Sequence, residues 1–455
     1  MKTAAKTIAI AARLTLSLLF LAPFVRLAQP QSPTVPINPT VNNCNVTRPD
    51  TPVTPALLTS GLPCAVTVIQ PITLDNLQKA FDFYSWLTFI ALNSPAAGGT
   101  IGKDAPTIWE QFKESQDIML PDGSSPPPWG APPIRPSKCP NAPAGATVLV
   151  MVGKTPNVLT ESVQPFLTGP LIDQQGQYVH YEILVNRPMF EFIVQNQLYN
   201  QQGQAKFSGT ITFPIGQVTS GSTGTVGSIM IKAAWKILDP KVDDPSRFHT
   251  AKVLVYQAPS TNPKIAESCS VATVGLVGLH ISHKTQVEPQ WVWSTFEHVD
   301  NVPTQSDVNS KKLAKRYNFY NPACKNCKVN DPPPRPWDPN AVPFPGGFKS
   351  QIVRVVNLMD DVNKLNAQFQ GILKGTVWAN YKLISTQWPT DGQSKTDPNG
   401  VPAPTYLANT TMETYVQGTT PQASSSCIAC HGNAATTKGK TSDFTYILER
   451  AQSAK

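Results

Sequence analysis

Proline limits this chain more than any other residue: 45 of its 455 positions carry it. Each proline holds φ at about −65° and removes a backbone donor, so much of the chain must run as surface loop or extended connection rather than helix. The densest stretch, "PDGSSPPPWGAPPIRPSKCPNAPAGA" at residues 121–146, is expected to be one such connection, and it carries Cys139. Residues 29–72 scatter Pro, Thr and Asn around Cys44 and Cys64 with no sustained apolar period. They read as a Pro-rich leader, pinned by a disulfide if those two cysteines pair. Hydrophobic residues make up 40% of the chain, enough for a sizeable core elsewhere.

Periodicity locates that core. In "LDNLQKAFDFYSWLTFIALN", residues 74–93, Leu77, Phe81, Tyr84 and Leu87 recur at helical spacing behind Thr73, which predicts a buried helix with Thr73 as its N-cap. Residues 351–370, "QIVRVVNLMDDVNKLNAQFQ", predict a second long amphipathic helix. A third is expected over "RPMFEFIVQNQLYNQQG", residues 187–203, with Pro188 in its first turn and Gly203 at its end. Short apolar or alternating runs bounded by turn residues predict strands: "TVLVMVG", "YVHYEILVN", "GSIMIKAAWKIL", "KVLVYQ", "SVATVGLVGLHIS", "QWVWSTFEHV" and "TVWANYKLISTQW". No internal repeat is visible. The sum is an α+β fold, a mostly antiparallel sheet flanked by helices and joined by Pro-rich loops.

The N-terminus bears on compartment. Lys2, Lys6 and Arg13 lead into the apolar run "LTLSLLFLAPFV", residues 14–25, which is shorter than the about 20 residues that span a bilayer. Residues 1–28 therefore read as a secretory signal with cleavage after Ala28, while Arg26 close to that point keeps an uncleaved membrane anchor as the alternative. Lys2, Lys6, Arg13 and Arg26 would leave with the signal and no acid would, so the formal charge falls from +8 to +4. That mild balance, with no Lys/Arg run interleaved with aromatics, excludes a nucleic-acid stripe. Export to the periplasm or the exterior puts the eight cysteines in an oxidising compartment, where disulfides or covalent cofactors are expected more than zinc.

Close to the C-terminus the chain reads "SSSCIACHGNAA", residues 424–435. Two cysteines separated by two residues can bring their thiols to the two vinyl groups on one side of a haem, and the histidine that follows falls beneath the iron. The motif thus predicts one covalent haem c, tethered by Cys427 and Cys430, with His431 as its metal ligand. The competing reading is a disulfide pair followed by an ordinary histidine.

Through Cys427, Cys430 and His431 the chain resembles the c-type cytochromes, and the resemblance extends no further than this motif. In the common small cytochrome the motif lies near the start of the domain and a downstream methionine supplies the sixth ligand. Here only 24 residues follow His431, and none is Met or His. The terminal segment, residues 401–455, is therefore expected to pack its haem against the α+β body of residues 73–400. Any sixth ligand must come from upstream: Met412, His280, His283 or His298, unless the position is vacant. Around His298, "WVWSTFEHVDN" offers Trp291, Trp293 and Thr295 on one strand face and Glu297, His298, Asp300 and Asn301 at its end. Either this is a haem wall with a polar distal cluster, or it is a strand with an aromatic face and a polar terminus.

A second pair, Cys324 and Cys327 in "PACKNCKVN", has the same spacing with Lys328 in place of the histidine. It resembles the attachment site of the catalytic haem in multihaem cytochrome c nitrite reductases, where lysine is the proximal ligand. Those enzymes carry several further C-x-x-C-H motifs, and this chain has one. The alternatives are a disulfide, within the pair or to two of Cys44, Cys64, Cys139 and Cys269, and a zinc site joining both C-x-x-C pairs.

Three functions follow as expectations. The first is an exported monohaem c-type cytochrome passing single electrons to a redox partner protein. The second is a haem enzyme, an oxidase or peroxidase-like catalyst with an open sixth site for a small-molecule substrate. The third is a non-catalytic haem-based sensor or ligand-binding protein. Membrane contact is expected only if the signal stays uncleaved, and nucleic acid is not expected as a partner.

Overall fold

The apolar period of residues 74–93 folds into helix α1, Leu74–Leu92, whose N-cap Thr73 accepts the Asn76 N–H at 3.1 Å. This is a computed structural model that describes residues 40–44, 48–102, 105–139, 146–150, 168–257, 259–261, 264–314, 316–334, 347–391, 399–419 and 422–455. The signal at residues 1–28 and the last three residues of "TVLVMVG", 151–153, lie outside the described residues.

The alternating runs assemble, among the described residues, a nine-stranded sheet. Its strands are β1 (Lys113–Glu114), β2 (Val148–Val150), β3 (Val179–Val185), β4 (Ile229–Ile237), β5 (Thr250–Gln257), β6 (Ser268–His283), β7 (Val292–His298), β8 (Tyr381–Asp391) and β9 (Asn399–Ala403). They run in the order β9-β8-β7-β6-β4-β3-β1, every pair antiparallel. Strand β5 lies beside the first half of β6, and β2 joins β5 as the single parallel pair of this sheet. The fold is α+β with a mostly antiparallel sheet.

Because side chains alternate along a strand, the sheet has two different faces. One face buries Leu184, Ile231, Ile281, Phe296 and Leu383 against α1 and helix α5, Asp360–Ile372. There Trp86 stacks on Phe369 with centroids 4.9 Å apart, and Phe89 stacks on Phe296 at 4.3 Å. Each such side chain contributes roughly 1.5–3 kcal/mol by leaving water. The other face buries Val185, Met230 and Trp293 against Met189, Phe190 and Ile193 of helix α2, Arg187–Gln195. The same cluster includes Ile428, Phe444, Ile447 and Leu448 of the C-terminal segment. Residues 37–455 form one compact unit, so the tail shares its core with the body.

Three local expectations change. Residues 187–206 hold two helices, α2 and α3 (Gln201–Lys206), each started by an asparagine whose side chain accepts a backbone N–H. Gln197 breaks the run at φ 53°, and Gly203 sits inside α3, where a Cβ would lie 1.8 Å from the Gln197 carbonyl oxygen. Gly203 therefore permits a close approach and does not end a helix. Residues 351–359 are extended: Arg354 bridges Thr304, the N-cap of the short helix α4, Gln305–Ser310. The β-branched run there favours extension, and α5 starts only at Asp360, where two acids occupy the first turn. Finally, Val377–Asn380 forms a 3-10 turn before β8.

Six of the cysteines form disulfides, Cys44–Cys64, Cys139–Cys269 and Cys324–Cys327. The first ties the leader next to a small sheet in which Thr40–Val41 pairs with Thr223–Thr225. Among the described residues, no helix is long and apolar enough to cross a membrane.

Candidate functional site

A cleft of about 980 Å³, counting the space at its mouth, opens between the second face of the sheet and the C-terminal segment. Its floor is built by strand register. Ile183, Lys232 and His280 lie side by side on β3, β4 and β6, and two residues along, Met230, Ser282 and Trp293 form the next row. Both rows point the same way because the side-chain period is two. The facing wall is Glu413, Ser426, Cys427, Cys430, His431, Tyr446 and Arg450.

The motif itself forms a short helix, α6, Cys427–His431, capped by Ser426, whose hydroxyl accepts the Ala429 N–H. Gln387 on β8 holds this turn to the sheet by accepting the Ile428 N–H at 2.9 Å and the Ser426 hydroxyl at 3.2 Å. Ile428, fully buried, anchors the turn in the core. Cys427 and Cys430, three residues apart, therefore share a helical face, and both line the cleft as free thiols. Burial pushes both thiols up from their ordinary value, so they are protonated at neutral pH.

His431 is oriented by its neighbours. Its Nδ1 donates to the Phe444 carbonyl at 2.8 Å, which places the proton on Nδ1 and leaves Nε2 with its lone pair. The ring packs against Trp293 at 4.5 Å and Tyr446 at 5.2 Å. Burial, against the pull of the Phe444 carbonyl, lowers its pKa to about 4, so the imidazole is neutral. The Phe444 carbonyl reaches it because Asp443 and Phe444 adopt φ of 52° and 65°, a left-handed backbone that non-glycine residues rarely take. Buried contacts impose it: Asp443 ion-pairs with Lys284, accepts the Phe213 N–H at 2.6 Å, and offers its carbonyl to the Trp291 indole at 3.1 Å.

Among the upstream candidates, His280 alone lines the cleft. Its Nε2 meets Glu413 Oε1 at 3.1 Å, and Glu413 Oε2 accepts the Asn409 N–H at 2.9 Å. Burial works to raise Glu413, but the His280 pair and Lys232 outweigh it and hold the carboxylate below its usual range. Met412 is buried among Leu171, Val179 and Tyr181, outside the cleft. His283 bonds Tyr84 through Nδ1 and the Val226 carbonyl through Nε2. His298 accepts the Asp300 N–H and donates to the Arg247 carbonyl at 2.9 Å.

The distal-cluster reading of "WVWSTFEHVDN" is corrected. Trp293 lines the cleft, whereas Trp291 precedes β7 at φ 72° and is not among the residues that line it. Thr295 bonds Asn409, Glu297 is paired with Arg354 and Thr410, Asp300 with Arg247, and Asn301 donates to the Val277 carbonyl. These polar groups are consumed in holding loops to the sheet end.

Cys324 and Cys327 are bonded to each other, and Lys328 is 85% exposed at 3.6 Å from Asp331. Neither the second-haem nor the zinc reading retains a thiol there, and no group of three or more His, Cys, Asp or Glu among the described residues is arranged to hold a metal ion. At α6 the donors are two thiols and imidazole nitrogen. That set suits a flat group tethered through carbon, rather than a bare ion that needs about four ligands. Lys232, Glu413, Tyr446 and Arg450 were not anticipated. A lysine in the middle of the apolar run "SIMIKAAWKI" is the one signal, and Lys236 in the same run shares it while pairing with Asp173 and Asp243 instead.

No protein-family model, curated protein or solved structure matches this chain.

Proposed function

We propose that the cleft holds one covalently attached haem c and that the protein passes single electrons to a redox partner outside the cytoplasm. One observation carries the reading. Six cysteines are paired in disulfides, while Cys427 and Cys430 remain thiols beside an imidazole whose Nδ1 is already tied to a carbonyl. A metal-ligating histidine characteristically donates its other N–H in this way.

Attachment needs no oxidant: each thiol adds across a vinyl double bond, forming a carbon–sulfur bond while the thiol proton moves to the other vinyl carbon. The bound group would supply a reversible one-electron change at iron, and its potential would depend on ligands, burial and hydrogen bonding. Trp293, Met230 and Ile183 would shield a bound apolar group from water, and Lys232 and Arg450 line the same cleft as basic side chains that could meet carboxylates on it. Three disulfides support a location in the periplasm or outside the cell.

The test is expression with a cytochrome c maturation system, followed by haem staining on a denaturing gel. The wild type is expected to stain and Cys427→Ala/Cys430→Ala is expected to be blank. A blank wild type, or a stained double variant, overturns the proposal.

A further inference from the structure

We infer that His280 is the second axial ligand of the iron, with Glu413 as its positioning residue; this rests on the haem reading above. The cleft is bounded by one imidazole from the terminal segment, His431, and one from the sheet, His280. The two rings are prepared alike. Each has one nitrogen held by an oxygen, the Phe444 carbonyl at 2.8 Å or the Glu413 carboxylate at 3.1 Å, and a second nitrogen with no hydrogen-bond partner among the described residues. An imidazole that donates one N–H to a carbonyl or carboxylate presents a basic lone pair at the other nitrogen. The remaining upstream histidines named above have both nitrogens engaged away from the cleft.

The support behind His280 is built to hold it still. His280 sits in mid-strand on β6, registered against Lys232 on one side and Thr295 on the other. Glu413 is fixed by the Asn409 N–H, and the Asn409 side chain is fixed in turn to Thr295 Oγ1 at 3.0 Å and the Phe296 carbonyl at 2.9 Å. Gly278, two residues before His280, lets this turn approach: a Cβ there would lie 2.2 Å from Thr411 Oγ1. With nitrogen from both His431 and His280, a bound iron would keep no open site for oxygen chemistry, which would make the protein a relay rather than a catalyst.

The experiment uses the full-length haem-loaded protein. The wild type is expected to be low-spin in both oxidation states and indifferent to carbon monoxide. Low-temperature electron paramagnetic resonance is expected to show a bis-imidazole signature, without the sulfur-to-iron charge-transfer band that Met412 would give. His280→Ala is expected to keep covalent haem on a denaturing gel, turn high-spin, bind carbon monoxide, and return to low-spin on addition of imidazole. Glu413→Gln is expected to stay low-spin with a raised midpoint potential. His283→Ala and His298→Ala are expected to leave the spectra unchanged.

A stained protein that is high-spin or binds carbon monoxide as wild type overturns the role of His280 and spares the haem reading. So does His280→Ala that remains low-spin without imidazole. An unstained wild type overturns both. If His280→Ala fails to fold, the wild-type resonance spectrum decides alone.

Discussion

The chain contains two C-x-x-C pairs of identical spacing with opposite fates. Cys324 and Cys327 close on each other in a solvent-facing loop, separated by the exposed Lys325 and Asn326. Cys427 and Cys430 flank Ile428, which is fully buried, and stay reduced on a helical turn that faces a cleft. Spacing sets what two thiols can reach, and the residues between and after them set what they face. An apolar residue inside the second pair pulls that turn into the core, and His431 then falls against Trp293. Nothing comparable draws in the first pair.

The largest expected effect separates the two pairs outright. Cys427→Ala/Cys430→Ala should abolish covalent haem, and Cys324→Ala/Cys327→Ala should leave gel staining intact; staining that tracked the second variant would reverse the assignment. Next comes the support under the second pair. Lys284→Met strands the Asp443 carboxylate, both groups being fully buried. It should cost about 3–5 kcal/mol in denaturant unfolding. A loss below about 1 kcal/mol would mean that the left-handed turn at Phe444 does not depend on this pair.

Ile428→Ala should cost roughly 2–4 kcal/mol through lost burial and a cavity. Its counterpart in the exposed pair, Lys325→Ala, should stay within about 0.5 kcal/mol. Equal effects would remove the physical basis of the contrast.

A smaller effect concerns pH. Burial raises Glu182, on the strand that supplies Ile183 to the cleft floor, to about 8 from 4.5. The folded state thus holds this proton more tightly than the unfolded state. Its contribution is present at low pH and lost as pH climbs from about 4.5 through about 8. Glu182→Gln should flatten the unfolding profile across that window. A Glu182→Gln profile that matched the wild type would refute the cause given.

Much of the architecture was legible because it is local. Thr73 and the apolar period behind it are enough to start and bury α1, and alternation located each main strand. Residues 351–359 misled for a physical reason: "QIVRVV" has apolar positions that suit either period. Its choice of extension is tied to Arg354 pairing with Glu297, 57 positions away. Likewise Asn186 and Asn200 each cap a helix, and the single helix expected there becomes two.

By itself, then, the sequence determined that Cys427, Cys430 and His431 stand within one turn, that six other cysteines form an even set, and that the scaffold is α+β. Only the tertiary structure decided which cysteines pair, which histidine shares the cleft with His431, and that Lys232, Glu413 and Arg450 join them. The reason is range. Caps and periods act over a few bonds, whereas the cleft is made by strand register and by a C-terminal segment packed across strands distant in the chain.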